Sequence, residues 1–208
     1  MFRLLQLADS AFPTGGFAHS SGLEAAAAAG LARGEEGTRR FLEGSVAQCG
    51  RGALPFVNAA YDGRWVEADV RCDAFLVAHV SRRASLAQGR ALLDTAQRVF
   101  PAAKAVAMPH EHQAPVFGAV GAALGLSIEE TSAAFLHVST RGVASAAVRL
   151  GLVGPYAAQR LLADLAPVLA ATVARCGGLS LDDARHATPL VELAQNAHDR
   201  LYSRLFVS

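Results

Sequence analysis

Apolar residues recur along this chain at the three- and four-residue spacing of helix faces, and strict alternation of apolar and polar positions is almost absent. After Gly34, the residues Phe41, Leu42, Ser45, Val46 and Cys49 line one face, with Thr38 as a candidate cap. Leu86, Gly89, Leu93, Ala96 and Phe100 form a second stripe, which Pro101 ends because proline cannot continue the hydrogen-bond ladder. Ser127 and Glu130 have the spacing of a capping box and open a long segment through Ala147, in which Ile128, Thr131, Phe135 and Val138 share a face. Gly154-Pro155 restarts the chain, and Leu162, Leu165, Leu169, Thr172 and Cys176 make a further stripe with a kink expected at Pro167.

One hairpin-like dipeptide, Asp62-Gly63, is flanked by segments rich in Ala, Glu and Asp that do not alternate, so it reads as a helix-to-helix turn. No long linker, low-complexity tail or internal repeat interrupts the pattern. The expected fold is therefore all-α, with residues 1–208 forming a single-domain bundle of roughly eight to ten helices. Alanine runs such as Ala25 to Ala29 suit close helix packing and also high helix propensity.

Composition narrows the function. The chain is 52% hydrophobic and 18% charged over 208 residues, enough to bury a sizeable core. Basic and acidic side chains number 19 and 18, and no run of cations provides the footprint that a phosphate backbone needs, so nucleic acid is not an expected partner. Cys49, Cys72 and Cys176 are odd in number and widely spaced, which implies neither a disulfide framework nor a zinc knuckle. Asp9 interrupts the apolar start before it reaches signal-peptide length. The longest uncharged apolar stretch, Gln113 to Ile128, falls short of the about eighteen residues of a membrane span, so no membrane association and a cytoplasmic location are expected.

The usual catalytic patterns are missing. Lys104, the only lysine, is not preceded by glycine at the P-loop spacing, and neither a G-x-S-x-G elbow nor an H-E-x-x-H helix occurs. His110-Glu111-His112 is the strongest metal-like cluster, since two imidazoles and a carboxylate could hold a borderline metal. Residues two apart diverge on a helix, however, and a surface or capping role explains the triplet as well, so no metal site is assigned and His110 and His112 stand only as candidates. Gly15-Gly16 precedes a helix start and could form an anion nest; a tight turn with a capping box between Ser21 and Glu24 accounts for the same residues. Arg39-Arg40 and Arg82-Arg83 read as solvated helix faces. From residues alone the chain is an all-α protein without visible catalytic apparatus, of the kind that works through its surfaces.

The segment Leu5-Gln6-Leu7-Ala8-Asp9-Ser10-Ala11-Phe12-Pro13-Thr14-Gly15-Gly16-Phe17-Ala18-His19-Ser20-Ser21-Gly22-Leu23-Glu24 resembles the opening signature of the urease accessory protein UreF family, in its plant-like branch. Ser85 to Leu93, with Gln88-Gly89-Arg90, resembles the family's Gln-Gly-Arg helix, and His112 to Gly118 its His-Pro-aromatic-Gly turn. Ser145 to Leu150, with Gly154 and Gln159, is similar to the family's central helix and its exit, and Leu201 to Ser208 to its C-terminal tag. Val207 stands where a basic residue is frequent, and the stretch from Phe100 to His110 is short.

The resemblance implies a symmetric all-α dimer that catalyses nothing itself. Such a protein binds the accessory protein UreD, also called UreH, recruits the GTPase UreG and docks on apo-urease, where nickel insertion is coupled to GTP hydrolysis. Nickel would be handled by the complex, GTP and Mg would be bound by UreG, and this chain would hold no cofactor of its own. Glu24 and Arg149 match positions facing the GTPase; Tyr202, Arg204 and Phe206 match the tail that meets UreD. An N-terminal segment of about residues 1–24 and a tail of about residues 200–208 would thus be the partner-binding parts. Pro13, Gly15, Gly16, Phe17, Gly22, Gln88, Gly89 and Gln159 match signature positions. Two alternatives stay open: an all-α metal-dependent hydrolase using His110, Glu111 and His112, and a helical binding module unrelated to urease.

Overall fold

A computed structural model describes residues 1–208. Ten α-helices run in order: α1 (Phe2–Leu7), α2 (Leu23–Ala28), α3 (Gly34–Gly52), α4 (Leu54–Tyr61), α5 (Trp65–Phe75), α6 (His79–Val99), α7 (Gln113–Ala123), α8 (Ile128–Arg149), α9 (Pro155–Cys176) and α10 (Pro189–Ala197). Short 3-10 turns lie at Gly16–Ala18, Pro101–Ala105, Leu181–Asp183 and His198–Arg200, and no strand is present.

The architecture is a single all-α domain built around α7. This helix is apolar on every side, and Ala114 through Gly121 are all buried, as a helix without a polar face must be. The apolar stretch noted in the sequence is thus the central helix of a core. It lies against α4 so closely that a Cβ on Gly118 would come within 2.1 Å of the Val57 carbonyl oxygen. Around this pair, α4, α6, α7 and the first half of α8 bury Phe56, Leu92, Phe117, Phe135 and Leu136 in one apolar cluster. The second half of α8 joins α2, α3, α9 and α10 in another, which contains Leu23, Leu42, Val143, Leu161, Leu165 and Phe206. Each fully buried leucine of these clusters contributes about 1.5–3 kcal/mol of transfer free energy, so the striped faces supply most of the cohesion.

Local signals meet the structure in detail. Ser127 and Glu130 form the expected capping box: the Ser127 N–H donates to the Glu130 carboxylate at 2.7 Å, and the Glu130 N–H to the Ser127 hydroxyl at 3.1 Å. Gly63, at φ 88°, turns α4 into α5. α6 stops at Val99, ahead of Phe100-Pro101, and Pro155 opens α9. One expectation needs correction. Thr38 lies inside α3, where its hydroxyl donates to the Gly34 carbonyl at 2.7 Å, because the helix starts at Gly34. α9 runs from Pro155 to Cys176 with Pro167 inside it, so the stripe from Leu162 to Cys176 lies on one helix.

α9 is long and apolar enough, by length and composition, to cross a membrane, although Arg160 and Asp164 interrupt its apolar run. Both charges are engaged by α3: Arg160 lies 3.5 Å from Glu35, and Asp164 is 2.7 Å from Arg39. Its inner face packs on α3 and α8, with Gly50 of α3 lying directly over Thr172.

Candidate functional site

The N-terminal signature segment and the C-terminal tail, far apart in sequence, form one assembly. After α1, the Asp9 carboxylate accepts the Ala11 N–H at 2.8 Å, and Phe12 turns inward to stack on Phe100 with ring centroids 6.0 Å apart. The Thr95 hydroxyl then donates to the Pro13 carbonyl at 3.0 Å, anchoring the segment on α6. Gly15 reverses the chain at φ 71°, a region without penalty only for glycine, and Phe17 emerges 72% exposed on the following 3-10 turn.

Glu24 is not half of a capping box with Ser21. The cap of α2 is Gly22, at φ 88°, and a Cβ there would lie 2.7 Å from the Gln195 backbone nitrogen of α10. With Ser21 itself at φ 54°, its hydroxyl makes no capping bond. Glu24 is freed to face inward, and only 8% of it is exposed. Its carboxylate accepts the backbone N–H groups of Leu205 at 2.6 Å and Phe206 at 3.2 Å, and meets His198 Nε2 at 3.0 Å. A carboxylate buried this deeply is tolerated because its oxygens are satisfied.

The tail is fastened further along. The Val207 N–H donates to the Ala18 carbonyl at 2.8 Å, the Ser20 N–H to the Ser208 carbonyl at 2.6 Å, and His19 Nδ1 lies 2.6 Å from the Ser208 hydroxyl. Arg149, from the last turn of α8, places its guanidinium between two rings, 3.9 Å from the Phe17 centroid and 4.2 Å from that of Phe206, and donates to the Phe17 carbonyl. Arg204 reaches Asp199 at 3.3 Å, and Asp199 also receives Arg83 at 3.0 Å and His79 at 2.8 Å. Hydrogen bonds from Arg83 and His79 hold the Asp199 carboxyl below its usual range. Tyr202 is wholly exposed, and Leu205 and Val207 are more than half so.

The positions that resemblance divides between two partners therefore lie in one place, since Phe206 touches both Glu24 and Arg149. Glu24 is buried and spent on the tail, whereas Arg149 is half-buried between the Phe17 and Phe206 rings and has no acidic partner. What the assembly displays is apolar and aromatic: Phe17, Tyr202, Leu205 and Val207. Beneath it lies a cavity of about 390 Å3 walled by the signature segment, α3, α6 and α8, onto which Pro13, Gly15, Gly16, Phe17, Gln88 and Arg149 all open. Gly16 sits so that a Cβ would meet Gln88 Oε1 at 3.4 Å. Gly89 lies outside the cavity, pressed on the Glu111 carbonyl, and Gln159 is exposed on α9.

The His110–His112 triplet is organised differently from the sequence expectation. Asp69, fully buried on α5, accepts three consecutive N–H groups: His110 at 2.6 Å, Glu111 at 3.1 Å and His112 at 2.8 Å. This clasp bends Glu111 to φ 68° and sends the His112 ring into the interior, so His112 is neither a surface residue nor a side-chain cap. Its Nδ1 meets the Ser85 hydroxyl at 3.0 Å and its Nε2 the Asp73 carboxylate at 3.0 Å. Burial keeps the His112 imidazole below its ordinary value even though Asp73 pulls the other way. Asp73 is further engaged by Arg82, whose Nε donates at 2.8 Å. Both ring nitrogens of His112 are already engaged, so ligation of a metal through either one would break its bond to Ser85 or to Asp73. No group of three or more His, Cys, Asp and Glu side chains is arranged to hold a metal ion.

Comparison with known proteins gives the family. The UreF family model matches residues 32–166. Urease accessory protein F of Oryza sativa subsp. indica is 37% identical over 215 residues, covering 97% of this chain and 82% of that protein. The Arabidopsis thaliana protein of the same name is 35% identical over 217 residues, covering 98% and 90%, respectively. Urease accessory protein UreF of Paenarthrobacter aurescens is 33% identical over 217 residues, covering 99% and 96%. The family match extends over most of the chain, and the relatives cover nearly all of it at 33–37% identity: this chain belongs to the UreF family of urease accessory proteins.

Proposed function

We propose that this protein is a non-catalytic scaffold of urease maturation, which bridges UreD/UreH and the GTPase UreG and couples GTP hydrolysis to nickel insertion into apo-urease. It acts in the cytoplasm as a homodimer. UreG supplies the GTP and Mg site, and nickel is handled by the assembled complex. The observation that carries this reading is the joining of Glu24, Arg149 and Phe206 into a clasp that fixes the tail against the signature segment. A clasp of this kind acts by position: it holds Phe17, Tyr202, Leu205 and Val207 as one surface of exposed large side chains, the composition of a recognition patch.

In this reading Glu24 and Arg149 are positioning residues for the GTPase-facing surface, and Tyr202, Arg204 and Phe206 belong to the same surface and to its edge toward UreD/UreH. The absence of a P-loop in the sequence supports assigning nucleotide turnover to the partner.

The test is co-purification of UreG and UreD with the wild type, with Glu24→Ala, with Arg149→Ala and with a chain lacking residues 200–208, alongside urease activation in a strain without the wild-type gene. All three variants are expected to remain helical yet to recruit UreG less and activate urease poorly. Wild-type recruitment by all of them removes the clasp from the mechanism, and steady GTP turnover by the isolated chain defeats the scaffold reading.

A further inference from the structure

Three arginines with no carboxylate partner converge on the side of the bundle formed by the ends of α3 and α9. Arg51 lies in the last turn of α3, Arg175 in the last turn of α9, and Arg185 in the run that leads to α10. All three line one open cleft of about 470 Å3, together with Thr172 and His186. Arg39, Arg71, Arg82 and Arg83 each have an acidic partner at 3.0 Å or less, whereas no carboxylate comes within 4.0 Å of Arg51, Arg175 or Arg185.

The backbone builds this arrangement. Gly50 lets α3 approach α9 so closely that a Cβ there would lie 2.5 Å from Thr172 Cγ2, which brings Arg51 beside Arg175. The Arg185 N–H donates to the Arg51 carbonyl at 3.1 Å, which fastens the third arginine to the end of α3. His186 is braced by stacking on Phe75, with ring centroids 4.2 Å apart, and by Glu192 at 3.1 Å.

The surrounding charges do not neutralise the cluster. Asp183 lies close enough to interact with Arg185 and Arg51 through space. The Ser180 hydroxyl and N–H, at 2.7 and 2.9 Å, chiefly hold its carboxyl below the usual range, and Arg185 and Arg51 add to this through space without pairing. Glu192 is taken by His186. Arginines at helix C-termini are favoured by the macrodipole, so Arg51 and Arg175 have a structural explanation. Two helix ends carry only roughly half a negative charge each, however, and Arg185 lies on no helix. Apart from one bond of 3.4 Å from Arg175 to the Thr172 hydroxyl, the three guanidinium groups, each with five fixed N–H donors, thus face one cleft without an acceptor from the chain.

We propose that this cleft binds a multiply charged oxyanion of the phosphate type, held by paired N–H donors of Arg51, Arg175 and Arg185. Guanidinium forks match phosphate oxygens bidentately, and a site of this design needs no glycine-rich loop. The ligand is a free phosphate or pyrophosphate, or the phosphate group of a nucleotide. This site is remote from the tail clasp in its residues and does not depend on the scaffold reading.

The experiment is calorimetric titration of the full chain with sodium pyrophosphate and, separately, with GDP, repeated for Arg51→Gln, Arg175→Gln and Arg185→Gln. Saturable binding that each substitution weakens about tenfold supports the site, because one charge-assisted contact carries about that much. Tighter binding of GDP assigns the ligand to a nucleotide, and equal or weaker binding assigns it to the free anion. Arg185 lies outside the helices and meets α3 through its backbone N–H, which Arg185→Gln retains, so this variant keeps the test decisive even where the helix-end variants lose stability. No saturable heat with either probe overturns the proposal, as does equal binding by wild type and variants, or arginine side-chain resonances that respond only to an acidic polypeptide.

Discussion

Glu24 and Leu205 are joined by a 2.6 Å hydrogen bond from the Leu205 N–H to the carboxylate, across 181 positions of sequence. The same carboxylate receives Phe206 and meets the buried His198, so one side chain ties the signature segment to the tail. Glu24→Ala removes an acceptor of charge-assisted bonds and is expected to cost about 2–3 kcal/mol. The loss falls on the tail: amide exchange at residues 205–207 should accelerate strongly while α4 and α7 remain protected. Exchange that rises equally through the helices would show that Glu24 supports the fold as a whole.

Arg149 contributes planarity as well as charge. Its guanidinium stacks between Phe17 and Phe206, which an ammonium cannot imitate on both sides at once. Arg149→Lys should therefore release the tail almost as fully as Arg149→Ala, at a cost of about 1–2 kcal/mol in tail docking. Limited proteolysis near Tyr202 reads this directly, and a lysine variant as resistant as the wild type would reduce the role of Arg149 to its charge.

Close backbone approach predicts which glycines resist change. A methyl at Gly89 would meet the Glu111 carbonyl at 1.9 Å, and one at Gly118 the Val57 carbonyl at 2.1 Å. Neither carbonyl can yield without moving the Asp69 clasp or α4. Gly89→Ala and Gly118→Ala should each destabilise by about 3 kcal/mol or more and lower Tm by roughly 6–12 °C. Gly142, in α8 with open space around it, gives the opposite sign: Gly142→Ala should stabilise by about 0.5–1 kcal/mol. Thermal melts of the three variants compare these directly, and equal effects would contradict the packing argument.

Acid should weaken the fold in two stages. Burial holds His19, His112 and His137 below the ordinary imidazole value. Below about pH 6.5 the unfolded chain then binds more protons than the folded one, so stability is complete above that pH and declines as it falls. Asp73 adds a second stage. Burial opposes its charge, but bonds from His112 and Arg82 more than offset this and keep its carboxyl low, so its contribution is lost only below about pH 4. Denaturant midpoints measured from pH 8 to pH 3 should fall along this course, with a shallower first stage in His112→Gln. A wild-type midpoint unchanged between pH 7 and pH 5 would rule out the buried imidazoles as the cause.

Local chemistry accounts for what was legible in the sequence. The α8 capping box, the Asp62-Gly63 turn and the start of α9 at Pro155 involve residues within a few positions of each other, where backbone preference decides the outcome. Ser21 and Glu24 have the same spacing as Ser127 and Glu130, yet they form no box, because α10 presses on Gly22 and the tail supplies Glu24 with better donors. His112 looked like a surface histidine for a similar reason: Asp69, more than forty positions away in sequence, turns it inward. The signature residues were recognisable as a family pattern, but their grouping around one cavity could not be read from their order.

The chain's own sequence determines its helices, its lack of strands and its family, because helical periodicity, caps and motif order are properties of neighbouring residues. Tertiary structure alone decides that Glu24 and Arg149 serve the tail and that Arg51, Arg175 and Arg185 share a cleft. Those relationships are made by packing between segments that periodicity does not connect, and the energy of a buried charge depends on what surrounds it in space.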